Sequence, residues 1–215
     1  MKRLAVYTAI FGARDPIRLP PADADFDFFA FTDQPHEDPR VFQYPAGLPV
    51  AGDIVRSARM VKILPARYLP GYRYSLWIDG SIALKTGKLN ALVDEYLTAT
   101  APLATFRHPT RTCAYQEATV CLYSRLDDLE LIRGQAKAYR DSGFLEDVGL
   151  AETGVVLRDH AFVGAFSEDW WAQVSCWSRR DQISFPFSAW RTGLQWNTFE
   201  GSMESNSWFQ LTPHL

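Results

Sequence analysis

The residues of this chain whose types and spacing could do chemistry are acids at the ends of apolar runs and cations on one short segment. Asp79 is the acid in the apolar run "RYSLWIDGSIAL", and Gly80 follows it at once. A carboxylate at the end of a buried strand is costly to desolvate unless it is paired, hydrogen-bonded or bound to a metal. Either it caps the following turn through backbone N–H groups, or it faces a ligand, and a glycine beside it lets a ligand or metal approach the backbone closely. Arg56, Arg59 and Lys62 recur at every third residue just before that run. On a helix they fan over about 120° of one side. Such a row serves as a solvated face or as a clamp for a diphosphate, whose charge wants multiply donating cations. Asp181 and Gln182 in "RRDQISF" fit a helix cap or a polar site, and Glu152 in "LAETGVVL" stands before another apolar run. His108 and Glu117 in "FRHPTRTCAYQEA" complete the set, as ordinary loop and helix residues or, with Asp79, as a metal-dependent hydrolase.

The elements that must position these groups follow from periodicity. "LAVYTAIFG" and "FDFFAFTD" predict buried strands ending near Gly12 and Asp33. "GDIVRSARMVKILP" predicts a helix capped by Asp53 and stopped near Pro65, and the Asp79 strand comes next. "KLNALVDEYLTA" predicts a short helix and "PLATF" a strand. Tyr115 to Ser142 is mostly helical with Gly143 as the stop, and "TGVVLR" is a further strand. "HAFVGAFSEDWWAQVSCW" predicts an apolar helix and "RRDQISF" a turn and short helix, and the tail from Gly193 carries no clear pattern. Strands alternating with helices predict an α/β domain around a mainly parallel sheet, one domain over residues 1–215. In such sheets ligands gather beyond the carboxyl ends of strands, which is where Tyr7 to Gly12, Asp33, Asp79 to Ser81 and Glu152 to Gly154 fall.

Composition excludes several classes. A net charge of −3 gives no basic surplus for a nucleic-acid backbone. Cys113, Cys121 and Cys176 show neither C-x-x-C spacing nor a disulfide framework, so zinc fingers are excluded and a reducing, cytoplasmic setting is expected. The apolar start "MKRLAVYTAIFGARD" suits a first core strand better than a secretion signal, and no stretch reaches the ~20 apolar residues of a membrane span.

Taken in order, "VYTAIFG", "FFAFTD", "R-x-x-R-x-x-K-I-L-P", "YSLWIDGSI", "HPTRTCAYQEA", "GLAETGVVLR" and "WW" followed by "RDQISF" resemble a glycosyltransferase-like family long catalogued as a domain of unknown function. Its plant members are tied to pectin synthesis and turgor regulation, and bacterial members occur. The likeness covers roughly Val6 to Trp190. More distantly, Arg59, Asp79, "ETGVVL" and Asp181 with Gln182 look like the ordered parts of glycogenin and the bacterial lipopolysaccharide galactosyltransferases. That likeness implies a GT-A fold, a nucleotide-diphosphosugar donor (a UDP-sugar favoured), usually manganese, and retention at the anomeric carbon.

The resemblance implies roles as follows. Tyr7, Thr8 and Asp33 would border the nucleoside, while Arg56, Arg59 and Lys62 would hold the diphosphate. Asp79, with Gly80, would meet the metal or the donor ribose. Glu152, Asp181 and Gln182 would meet the transferred sugar and the acceptor, a glycan, polysaccharide or lipid-linked sugar, with His108 and Glu117 nearby. The usual acid motif is D-x-D, whereas this chain has Asp79, Gly80 and Ser81. One carboxylate with two donor phosphates would then hold Mn²⁺ or Mg²⁺, with His214 as a second ligand. The alternatives are a nucleotide-sugar or carbohydrate-binding module without catalysis and the hydrolase named above.

Overall fold

The computed structural model describes residues 2–43 and 48–213. Its centre is a strand, β1 (Leu4–Ile10), buried at every residue, as expected of "LAVYTAI" when both faces are covered. Even and odd residues serve different layers: Leu4 and Val6 join one core cluster, Ala5 and Tyr7 the other. β2 (Asp27–Thr32) and β3 (Val41–Gln43) extend the sheet in parallel on one side of β1, and β4 (Tyr74–Ile78) pairs with it in parallel on the other. The strand order therefore reverses between β1 and β4, which opens a crevice at their carboxyl ends.

Beyond β4 the sheet changes direction. β7 (Ala151–Asp159) runs antiparallel to both β4 and β6 (Leu103–Arg107), and β8 (Asn197–Thr198) adds a parallel edge, giving the order β3-β2-β1-β4-β7-β6-β8. A small second sheet pairs β5 (Ile82–Leu84) with β9 (Phe209–Leu211). The expected α/β architecture, mainly parallel and flanked by helices, is what the chain adopts. The reversal of β7 has a consequence for the site, because it brings the beginning of that strand, and not its end, to the carboxyl edge of β1 and β4.

One face is covered by α1 (Ile54–Ile63), the short α2 (Pro65–Tyr68), α6 (Gly164–Cys176) and α7 (Asp181–Thr192), with Val61, Ile63, Phe166, Trp170 and Phe185 packed on Tyr7, Trp77 and Val156. The other holds α3 (Ala91–Tyr96) and the aromatic return of the tail, where Phe199 and Phe209 pack on Phe106 and Leu92. α4 (Ala114–Tyr123) and α5 (Leu129–Asp141) form a third cluster against α7. α7 is longer than the short helix predicted and passes through Pro186, ending at left-handed Gly193 (φ 69°). Proline removes one helical hydrogen bond, but this helix is buried against α6, where the Trp170 indole N–H donates to the Asp181 carbonyl at 2.9 Å. The unpatterned tail supplies β8 and β9, both too short to carry a period of their own.

Candidate active site

A cleft of about 610 Å³ opens at the reversal between β1 and β4. Its walls come from the turn after β1 (Phe11, Arg14, Asp15), from Arg59 of α1 and from Asp79 to Ile82 after β4. Glu152 to Gly154 at the start of β7, Arg180 to Gln182 at the start of α7, and Met203 and Leu211 from the tail complete it. The antiparallel register joins two of these pieces, since the Asp79 N–H donates to the Gly154 carbonyl at 2.8 Å. Space is tight at Gly154, where a Cβ would come to 3.2 Å from Ile82 Cδ1 and into ordinary contact, 3.7 Å, with Asp79 Oδ2.

What Asp79 faces is a pair of cations and an indole. Its Oδ1 accepts from Trp77 Nε1 at 2.6 Å and lies 3.6 Å from Arg59 and 3.5 Å from Lys62. Asp181 sits deeper: Oδ2 is 2.6 Å from Lys62 Nζ and accepts from Thr153 Oγ1 at 3.0 Å. Its Oδ1 is 2.9 Å from Arg59 Nε, in an orientation that makes this an ion pair and not an aligned hydrogen bond. Lys62 is fully buried, with Nζ also donating to Thr153 and lying over the rings of Trp77 and Trp170. Burial would raise the Asp181 pKa, yet the Arg59 and Lys62 charges overcome it and hold this carboxyl well below the usual range. Burial pulls the Lys62 ammonium down while Asp181 and Asp79 oppose it.

Glu152 behaves in the opposite way. Burial, reinforced by the charges of Glu204 and Asp79 and opposed by Arg111, pushes its carboxyl up to about 7. Its Oε2 is buried with no hydrogen-bond partner among the described residues. Two acids of one cleft are thus set apart, one fixed as an anion and one able to exchange a proton near neutrality, which is the pattern of an acid–base site.

The cleft gathers Arg59, Asp79, Gly80, Glu152, Asp181 and Gln182 of the expected residues. Others are corrected. Tyr7 is fully buried, its hydroxyl donating to the Lys62 carbonyl at 2.8 Å, and Thr8 is 3% exposed, so neither has surface for a nucleoside. Asp33 spends its carboxylate on the Gly12 N–H at 3.0 Å and fixes the turn after β1. Arg56 does not reach the cleft: its guanidinium donates to the carbonyls of Val174 and Trp177 and pairs with Asp53, capping the end of α6. Lys62 lies beneath the acids instead of on the cleft wall. His108 accepts from the Thr110 and Arg111 N–H groups through Nδ1, and Glu117, 2% exposed, pairs with Arg111 at 2.6 Å. Neither lines the cleft with Asp79, so the hydrolase arrangement does not assemble. His214 lies outside the described residues.

Arg14, Asp15 and Arg180 are cleft residues that the sequence reading missed. Their signal was adjacency, since two follow the first strand's glycine and one precedes Asp181. The turn itself is marked by two successive left-handed residues, Gly12 (φ 68°) and Ala13 (φ 52°), the second without glycine's freedom.

Donors for a divalent ion are sparse among the described residues. Among the described residues there is no group of three or more His, Cys, Asp or Glu side chains able to hold a metal. The candidate carboxylate, Asp79, already has Oδ1 occupied by an indole N–H and two nearby cations.

Comparison with known proteins gives the site its setting. The chain is 26% identical over 212 residues to the probable hexosyltransferase MUCI70 of Arabidopsis thaliana, covering 85% of this chain and 36% of that protein. The chain thus spans about a third of the length of this curated relative. The apo form of the glycosyltransferase GlyE from Streptococcus pneumoniae TIGR4 superposes with a TM-score of 0.47 at 12% identity, over 93% of this chain and 45% of that one. A glycosyltransferase involved in glycosylation of the major capsid of PBCV-1 gives 0.39 at 8% identity, over 80% and 66%. Likenesses this distant say nothing about donor or acceptor. The model of the TOD1/MUCI70 glycosyltransferase-like domain matches residues 49–211, most of the chain and nearly every wall of the cleft, and the chain belongs to that family.

Proposed function

We propose that this domain transfers a hexosyl group from a nucleoside-diphosphosugar, a UDP-sugar favoured, to the hydroxyl of a glycan or lipid-linked sugar. The observation that carries the reading is the meeting of Arg59, Asp79, Asp181 and Glu152 in one cleft at the strand reversal. Arg59 supplies positive charge for the departing diphosphate. Asp181, kept ionised by Arg59 and Lys62, supplies fixed negative charge beside a sugar whose anomeric carbon becomes positive as the bond to phosphate breaks. Gln182 and Gly154 border the same space.

Two stereochemical courses are open to such a site. The resemblance to retaining enzymes favours retention, with a leaving phosphate oxygen taking the acceptor proton. Glu152 favours inversion: its carboxylate takes the acceptor O–H proton, the oxygen attacks the anomeric carbon, and the carbon–oxygen bond to the diphosphate breaks with its electron pair leaving on phosphate. A carboxyl with a pKa raised to about 7 is suited to that proton transfer. Incubation with a panel of nucleotide sugars and oligosaccharide acceptors, followed by NMR of the product's anomeric proton, tests both points. Slow donor hydrolysis or transfer supports the enzyme, and nucleotide binding without turnover would make the domain a binding module. Full transfer activity in Glu152→Gln would remove Glu152 from the reaction.

A further inference from the structure

A nucleoside diphosphate brings several negative charges to a cleft that already holds Asp15, Asp79 and Asp181. Something must balance them. A hard divalent cation takes six or more oxygen ligands, some of them from donor phosphates and water. Among the described residues no three acids, histidines or cysteines group to hold one; Asp79, the expected carboxylate, has its Oδ1 2.6 Å from an indole nitrogen and 3.5 to 3.6 Å from Lys62 and Arg59. An added double positive charge would be seated against those two cations.

The walls contain another source of positive charge. Arg14 is exposed, stands at the cleft on the turn after β1, and makes no ion pair with any described residue. The left-handed pair Gly12 and Ala13, tied by Asp33, directs that turn. Arg180 stands on another wall at the start of α7, a helix with no side-chain cap at its N-terminus. Its Nε is buried and lacks a hydrogen-bond partner among the described residues, while its guanidinium also reaches the buried Cys121 thiol and adds its charge beside Asp181. Arg59 lines the same cleft, engaged by Asp79 and Asp181 but still partly exposed. Guanidinium groups offer forked, charge-assisted hydrogen bonds to phosphate oxygens and stay charged throughout. Among the residues that line the cleft, Arg14, Arg59 and Arg180 stand against Asp15, Asp79 and Asp181, while Glu152 is able to hold a proton near neutrality.

We propose that this cleft binds the diphosphate of its donor without a divalent cation, on a clamp formed by Arg14, Arg59 and Arg180. The proposal rests on the transferase reading above and assigns the charge balance of that same site. Leaving-group charge is then carried by side chains of the chain itself.

The test is calorimetric titration of the intact protein with uridine diphosphate and guanosine diphosphate, in EDTA and again in excess Mn²⁺. The expected result is diphosphate affinity that agrees within about threefold between the two conditions, with Arg14→Ala and Arg180→Ala each weakening it roughly 10- to 100-fold. Because Arg180 is partly buried, Arg180→Lys accompanies it as a variant that keeps the charge and loses the fork; it should recover only part of the affinity. Arg14 is exposed, so its variant reports on binding without a burden on folding. Mn²⁺ tightening of tenfold or more, abolished by Asp79→Asn, overturns the clamp and leaves the transferase reading standing. Unchanged affinity in Arg14→Ala and in both Arg180 variants overturns it as well. If neither diphosphate binds in either condition, the clamp and the transferase reading fall together.

Discussion

Asp181 and Lys62 form an ion pair from which water is almost excluded, and its value to the fold lies in completeness. Removing one member of such a pair leaves the other charge buried and costs about 3–5 kcal/mol, whereas replacing both by apolar groups is often close to neutral. Asp181→Asn should therefore lower stability by about 3 kcal/mol, toward the low end because Asp79 stays 3.5 Å from Lys62. The double change Asp181→Leu with Lys62→Met should recover much of the loss in chemical denaturation, Arg59 keeping Asp79 as a partner. A single variant as stable as the parent would mean that the pair is not buried as described. Glu152 gives the opposite signature with pH. Its folded pKa lies above the unfolded value, so the stability it contributes is complete below the unfolded carboxylate range and is lost as pH rises through about 7. Comparing denaturation midpoints at pH 5 and pH 8 should show that loss in the parent and not in Glu152→Gln. The same proton should appear in the reaction, with transfer rising through about pH 7 if Glu152 is the base.

At the scale of elements, α1 was legible almost to the residue because its signals are local. Asp53 accepts from the Val55 and Arg56 N–H groups as an N-cap, and the helix ends just before Pro65. Asp53→Ala should cost about 1–2 kcal/mol through the lost cap and the loosened Arg56, measured by thermal or chemical unfolding. A change within error would indicate that the Arg56 bonds to α6 hold the helix start without it. What the spacing of Arg56, Arg59 and Lys62 could not convey was the destination of each side chain. Helical periodicity states which residues share a side, and here that side meets three different surroundings: the carbonyl end of α6, the cleft and the buried interior. The cleft residues Asp79, Glu152, Asp181 and Gln182 were legible because they interrupt or border apolar runs. Arg14 and Arg180 were not, since each lies in an irregular connection with no period to mark it.

In the whole molecule, the order of strands and helices could be read from the chain, but the reversal of β7 could not. Apolar content says that a strand is covered on both faces and is silent about its direction. The tail escaped for a related reason, because β8 and β9 take their shape from partners distant in sequence. Phe209 shows how much rests on that return: it is fully buried and meets Phe106 and Phe199 with ring centroids 6.1 and 6.4 Å away. Phe209→Ala should cost about 3–5 kcal/mol and should loosen Leu211 and Met203 at the cleft, so nucleotide affinity ought to fall along with stability. Equal affinity in a destabilised variant would show that the tail wall is not part of the binding surface.

The place of β7 between β4 and β6 also bears on how the chain comes to be folded. While residues emerge one after another during synthesis, β4 and β6 each wait with an unpaired edge until the strand that joins them, 40 and more residues later, is made. Such edges are templates for pairing with other chains. The domain should accordingly be most prone to aggregate when translation halts between Arg107 and Ala151, and ribosome-bound chains stopped on either side of β7 should differ sharply in their resistance to protease.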